Sequence, residues 1–292
     1  MKKRTILWSL AILAILILGA LVITAVVLAK RHAEDVPQVQ ETILSAVQAT
    51  EPPTTQPPTT LPPPPPNVFD PADFEYDDQG YLTCTAGEYQ RGIDVSSYQG
   101  EIDWQQVADS GVEFVIIRVG GRGYGEAGTL YEDSNAQSYY QGAREAGLKV
   151  GAYFFSQAIS AEEAVEEAEY LLELTKDWVL EMPVVYDWEY IDLGARTGWV
   201  TRQTLTDCML AFCDRITQAG HDAMIYFNPL LSRHRFYIEQ ITDYPFWLAM
   251  YSDWMTYPYK IDMWQYTCEG SVPGIEGDVD INLYFTYVDE VS

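Results

Sequence analysis

Positive charge is scarce in this chain. Lys and Arg number 17 against 43 Asp and Glu, a formal charge of −26. A surface this acidic repels nucleic acid and anionic lipid, so nucleic acid is not expected as a partner. The acidity itself reads as solubility and says little about substrate. Histidine is rarer still: His32, His221 and His234 are scattered. The four cysteines, Cys84, Cys208, Cys213 and Cys268, match no zinc spacing. No metal and no cofactor are therefore expected. Cys208 and Cys213 lie five apart on one predicted helix, too far to bridge if the helix is regular. Cys84 with Cys268 is the disulfide expected in an oxidising compartment, tying a lead-in segment to a late strand.

Long apolar runs are also few, and the exception is at the N-terminus. Met1-Lys2-Lys3-Arg4 is basic, and residues 5–29 carry no charge. About 20 apolar residues span a bilayer, whereas a signal-peptide core has about 7–15. This run has no clean small-x-small cleavage site at its end and no cysteine for lipid attachment. It reads as an uncleaved signal anchor, with residues 1–4 cytoplasmic and the remainder outside; cleavage would instead release a secreted protein. Residues 51–66 read EPPTTQPPTTLPPPPP. Such a run extends as polyproline II at about 3.1 Å per residue, so residues 30–75 read as a disordered stalk. Residues 76–90 form a lead-in, and 91–292 have the length of one folded domain.

Within 91–292, short apolar runs alternate with helical patterns. Strands are predicted at 92–96, 114–119, 149–156, 182–189, 223–228, 246–251, 261–266 and 278–284. Helices are predicted at 103–110, 135–146, 161–174 and 202–219. Ser160 before Ala161, with Glu162 and Glu163 in the first turn, is a strong helix start. Alternation over about 200 residues indicates parallel strands closed into an α/β barrel. The last strands leave little room for helices, so the final third should be irregular.

In such barrels the site lies at the C-terminal ends of the strands. The most informative run is Met182-Pro183-Val184-Val185-Tyr186-Asp187-Trp188-Glu189. Residues two apart on a strand share a face, so Asp187 and Glu189 should point the same way at the end of a buried strand. Buried unpaired carboxylates are costly, and a carboxylate pair is what glycoside hydrolysis requires. Asp94 and Asp280, in Gly92-Ile93-Asp94-Val95-Ser96 and Asp278-Val279-Asp280-Ile281-Asn282, could join them. Taken alone, Asp94 reads more readily as a turn or strand-end hydrogen-bonder than as a functional acid, and Asp278 and Asp280 could be loop acids. Crowding would keep a proton on at least one member. Glu189, with the longer reach, is the expected general acid, and Asp187 its electrostatic or orienting partner. Aromatics make up 13% of the chain. Tyr153, Tyr226, Trp247, Tyr251 and Trp264, with Gln265, are the candidate sugar-binding residues; part of this set must be core.

Together these motifs resemble family 25 of the glycoside hydrolases, the Chalaropsis-type lysozymes or N-acetylmuramidases. The resemblance covers about residues 91–287 and rests on Gly-Ile-Asp94-Val-Ser, Tyr-Asp187-Trp-Glu189, Trp264-Gln-Tyr and Val279-Asp280-Ile-Asn, in that order. It implies an irregular (β/α)5β3 barrel, acting as a monomeric catalytic domain on peptidoglycan glycan strands. It implies cleavage of the β-1,4 bond from N-acetylmuramic acid to N-acetylglucosamine, with Glu189 as proton donor and Asp94, Asp187 and Asp280 completing the site. An Asp would act as nucleophile or orient the substrate's 2-acetamido group; both routes retain configuration. Two other readings compete. A family 18 chitinase-like enzyme also ends a strand in Asp-x-Glu, but residues 182–186 lack the Asp and Gly residues expected upstream. A non-catalytic surface glycan-binding barrel would not require all four acids.

Overall fold

The computed structural model describes residues 61–287. The apolar span 5–29 and most of the Pro/Thr run lie outside these residues. Among the described residues no helix is long and apolar enough to cross a membrane. A hairpin, β1 (Phe74–Tyr76) and β2 (Leu82–Cys84), comes first. Then follow β3 (Glu88–Val95), α1 (Trp104–Asp109), β4 (Phe114–Arg122), β5 (Leu130–Glu132), α2 (Ala136–Glu145) and β6 (Lys149–Ser156). The chain continues through α3 (Ala161–Leu174), β7 (Val184–Trp188), α4 (Arg202–Gln218), β8 (Ala223–Phe227) and α5 (Pro229–His234). It ends with β9 (Phe246–Ala249), β10 (Met263–Gly270) and β11 (Val279–Thr286).

The large sheet runs β3-β11-β10-β9-β8-β7-β6-β4-β5, and a further β3–β4 pairing closes it into a barrel. The short β5 is an antiparallel addition to β4 outside the ring. Every ring pairing is parallel except those of β11, which is antiparallel to both β10 and β3. The long helices lie between the first five ring strands, as the sequence pattern indicates, and the final third has only α5 and a short 3-10 turn. The start of α3 is as expected, with the Ser160 side chain accepting from the Glu163 N–H.

Strand alternation sorts the side chains into two layers. Phe114, Ile116, Met182, Val185, Met224, Trp247 and Met263 fill the barrel interior. Their strand neighbours Val115, Ile117, Val184 and Tyr186 belong to the outer core, which includes the helix faces. Burying each large apolar side chain contributes about 1.5–3 kcal/mol. Gly92 is required where β3 crosses the Phe114 ring, since a Cβ there would lie 2.2 Å from a ring carbon.

The outer face of β10, β11 and β3 has no long helix to cover it, and the lead-in segment does so. Phe74 packs edge-on against Trp264 at 5.0 Å, and Phe69 lies 4.4 Å from Phe285. The Leu82 N–H donates to the Tyr266 hydroxyl at 3.3 Å, and Arg91 pairs with Asp77 at 2.8 Å. Lys260 N donates to Pro65 O at 2.8 Å, and Asn67 N to Pro258 O at 2.9 Å. The expected stalk boundary at residue 75 is therefore too late: the chain docks on the barrel from Pro65 onward. The reason is apolar surface on a helix-poor wall, which a local reading of composition does not register. Phe74→Ala should cost about 3–5 kcal/mol of stability in urea unfolding. A loss below 1 kcal/mol would show that the hairpin is not part of the core.

Candidate active site

The four acids meet in one cleft of about 500 Å³ at the C-terminal end of the parallel strands. Asp187 follows Val185 on the inward face of β7 and is buried. Glu189 comes just after the strand, continues the same face and stands open to solvent at the mouth. Asp94 is the inward residue near the end of β3. Asp280 lies near the start of β11, which in a parallel strand would have put it at the opposite end of the barrel. Because β11 runs backwards, Asp280 instead falls directly opposite Asp94 in register. Such cross-strand pairs hold their Cβ atoms about 4.5–5.5 Å apart, and like charges there repel.

A hydrogen-bond network fixes Asp94 from below. The Trp247 indole N–H donates to Asn282 Oδ1 at 2.8 Å, and Asn282 Nδ2 donates to Asp94 Oδ2 at 2.8 Å. An indole can only donate, so it determines which way the Asn282 amide faces. Tyr226 and Tyr251 hydroxyls donate to Gln265 Oε1, each at 3.1 Å, and Gln265 Nε2 donates to Asp94 at 2.9 Å. Asp187 differs: its Oδ1 is buried and has no hydrogen-bond partner.

Burial is the first cause of every shift in the cluster. It pushes the Asp94 carboxyl up to about 6 against the lowering effect of its Asn282 and Gln265 donors. Asp280 goes up to about 8 through burial, then the charges of Asp94 and Glu189. Asp187 is held well above the carboxylate range by burial and then by Glu189 and Asp94, with Arg118 working the other way. Glu189 is raised too, by desolvation of its carboxyl between the cleft walls, although the residue reaches solvent at the mouth. The cluster therefore keeps protons at a pH where free carboxylates have lost theirs.

Residues 93–275 match the family model described as glycosyl hydrolases family 25. The chain belongs to glycosyl hydrolase family 25. An autolytic lysozyme of Clostridium acetobutylicum is 30% identical over 202 residues, covering 66% of this chain and 55% of that protein. Lysozyme M1 of Streptomyces globisporus is 29% identical over 221 residues, covering 66% of this chain and 67% of that one. The modular autolysin LytC of Streptococcus pneumoniae, solved with a synthetic peptidoglycan ligand, superposes with a TM-score of 0.61 at 25% identity. That match covers 73% of this chain and 50% of LytC. A bacterial lysozyme from Streptomyces coelicolor gives 0.56 at 27% identity, covering 68% of this chain and 93% of that one.

This family 25 cleft gathers Asp94, Asp187, Glu189 and Asp280 with Tyr153, Tyr226, Trp247, Tyr251 and Gln265. Trp264 is not in it. Inward and outward residues alternate along β10, so Gln265 faces the cleft while Trp264 faces Phe74 and is fully buried. Trp264 still supports the site from behind, since its N–H donates to Met250 O at 2.7 Å, beside Tyr251. Trp247 lines the floor but is only 2% exposed, so it braces Asn282 more than it offers a stacking surface. Cys84 and Cys268 are not bridged: all four cysteines are free. Cys84, at the end of β2 in the lead-in hairpin, is buried, whereas Cys268 is exposed and its thiol meets the Tyr251 hydroxyl.

Several members of the family 25 site escaped the sequence reading. Asn282 carried a signal, being two residues beyond Asp280 on the same strand face. Arg118 did too, as a charge at the inward position after Phe114 and Ile116. It pairs with Asp133 at 2.7 Å and lies under the Tyr98 ring at 5.1 Å. Asp133, in the loop after β5, carried none. Behind Glu189 lies a buried polar layer. Gln157 Nε2 donates to Glu189 O at 3.3 Å, and its Oε1 accepts from Thr197 at 2.6 Å. Gln157 N in turn donates to Glu167, which is wholly buried and paired with Arg122 at 2.7 Å. Trp247→Phe tests the bracing of Asp94: it removes the indole donor and lets the Asn282 amide turn. The expected result is a fall of about tenfold in turnover, with far-UV circular dichroism unchanged. Wild-type turnover in the variant would show that the brace is dispensable.

Proposed function

We propose that the protein hydrolyses the β-1,4 bond between N-acetylmuramic acid and N-acetylglucosamine in peptidoglycan, with Glu189 as general acid. The observation that carries this reading is the convergence of Asp187 and Glu189 with Asp94 and Asp280 in one proton-retaining cleft. The names of the relatives support it: two lysozymes, and an N,O-diacetylmuramidase of Arthroderma benhamiae at 26% identity. This chain spans little more than half of the Clostridium lysozyme's length.

In the proposed reaction Glu189, protonated at the mouth of the cleft, gives its proton to the leaving glycosidic oxygen as the C–O bond breaks. The Glu189 carboxylate then takes a proton from a water whose hydroxyl bonds to the sugar carbon, which completes the hydrolysis and restores the acid. The buried, unpartnered Asp187 Oδ1 is an acceptor lacking a donor. The N–H of a 2-acetamido group would supply that donor and favour the carboxylate at the moment positive charge develops at the sugar carbon. Asp94, raised only to about 6, adds negative potential behind it, while Asp280, raised to about 8, holds its proton. Tyr98, 86% exposed at the rim, and Tyr251 offer faces for sugar rings.

The catalytic barrel is proposed to work outside the cell, held to the membrane by residues 5–29 and spaced from it by the Pro/Thr run. Protection of the barrel from protease added to intact cells stripped of wall would contradict that placement. For the activity, full-length protein is incubated with purified walls and with chitin, and the new reducing ends are identified. Ends on muramic acid are expected. Ends on N-acetylglucosamine would favour a chitinase-like enzyme, and binding without cleavage a glycan-binding barrel.

A further inference from the structure

The loops after β7, β8 and β9 enclose a second cavity of about 460 Å³. It lies on the same face of the barrel as the acid cleft: Met250 lines the second cavity and the adjacent Tyr251 the first. Its character is the reverse. Arg202, Arg233, Ser232, Tyr257 and Tyr259 contribute to its walls, and no carboxylate does.

That is unusual in a chain with 43 acids and 17 basic residues. Most other described arginines have found acids: Arg91, Arg118, Arg122, Arg144, Arg196 and Arg215 are all ion-paired. Arg202 and Arg233 are in no ion pair among the described residues. Arg202 is pre-oriented, its guanidinium 4.3 Å over the Tyr237 ring and Nη2 donating to Phe236 O at 2.7 Å. Its Nε is buried and has no hydrogen-bond partner. Arg233, on α5, is exposed. His234 beside them is held below the ordinary histidine range by burial, then by the charges of Arg233 and Arg202. Two like charges sharing a pocket repel, and an anion between them removes that cost. The Tyr257 and Tyr259 rings, 5.7 Å apart and nearly perpendicular, give an aromatic wall for the body that carries the anion.

We propose that this pocket binds an anionic group, carboxylate or phosphate, carried on the same wall polymer whose glycan strand occupies the acid cleft. The identity of the polymer rests on the muramidase reading; the anion site rests on the pocket alone. Stem-peptide carboxylates and wall phosphodiesters are the two sources of that chemistry.

The test has two arms. In the first, inorganic phosphate and N-acetyl-D-alanine are titrated into the full chain while the His234 ring is followed by NMR, assigned with His234→Gln. A saturable shift is expected, weakened about tenfold in Arg233→Ala. A ring that does not move, or moves equally in Arg233→Ala, overturns the proposal whether or not walls are cut. In the second arm, wild type and Arg233→Ala are compared on intact walls, on walls stripped of phosphate polymers, and on glycan strands freed of stem peptides. A tenfold loss of kcat/KM that vanishes with the stem peptides assigns the carboxylate; one that vanishes with the phosphate polymers assigns the phosphate. An equal loss on all three substrates marks a structural effect and overturns the proposal. Wild type that cuts none of them defeats the muramidase reading, and the first arm still decides the pocket.

Discussion

Glu189→Gln is expected to lower turnover on purified walls by roughly 10³-fold while leaving the fold intact. The amide keeps nearly the same shape at the solvent-open mouth of the cleft, so packing is undisturbed. What it removes is the transferable proton. Glu189 is suited to hold one because desolvation between the cleft walls raises its carboxyl above the ordinary range, although the residue reaches solvent. Activity of the wild type should accordingly fall as pH rises through that raised value, because the ionised form has no proton to give. A substrate whose leaving group needs no protonation, such as an activated aryl glycoside, should recover much of the loss in the variant. Wild-type turnover in Glu189→Gln would sink the assignment. An equal defect on both substrates would move Glu189 from proton donor to a binding role.

The second large effect concerns stability, and its sign is opposite to that of an ordinary core mutation. Asp280→Asn should make the protein more stable at pH 8. Folding raises the Asp280 carboxyl to about 8, through burial first and then the charges of Asp94 and Glu189. A carboxyl raised by folding favours the protonated native state. Below the unfolded value near 4, both states are protonated and nothing is lost. As pH climbs from there toward 8, the unfolded chain ionises freely while the native site resists, so stability declines across that window. The neutral amide has no such penalty. Asp280 is partly open to solvent, so screening reduces the gain to about 1–3 kcal/mol, on the order of 5 °C in Tm. Thermal melts from pH 4 to pH 8 should show the difference between variant and wild type growing with pH. A difference that is flat, or negative at pH 8, would mean that the Asp94–Asp280 pair carries no electrostatic strain. Asp94→Asn is the less clean test, since Asp94 accepts from Asn282 and Gln265 and an amide there would disturb both.

Much of this site is legible in the sequence. Asp187 and Glu189 share a face because strand side chains alternate, which is a property of two neighbouring peptide units. The parallel barrel followed from the order of strand and helix patterns, and the helix-poor final third from the spacing of the last strands. Trp264 shows the limit of that reasoning. Its motif neighbours Gln265 and Tyr266 were read together with it, yet alternation sends Gln265 to the cleft and Trp264 to the outside. Counting by two separates the faces without saying which one is inside. Phe74, ahead of the lead-in, is what covers Trp264 on that outer face.

Local chemistry along the chain was thus enough to name the fold class, the family resemblance and the acids that could react. Which way β11 runs, and with it whether Asp280 meets Asp94, depended on pairings made across almost the whole domain. So did the Arg118–Asp133 pair, the indole that orients Asn282, and the cover that Phe69 and Phe74 give to a wall without helices. Periodicity is set by neighbouring residues. Strand direction, burial of a given face and the donors that reach a carboxylate are set by segments distant in sequence, and they arise only when the barrel closes.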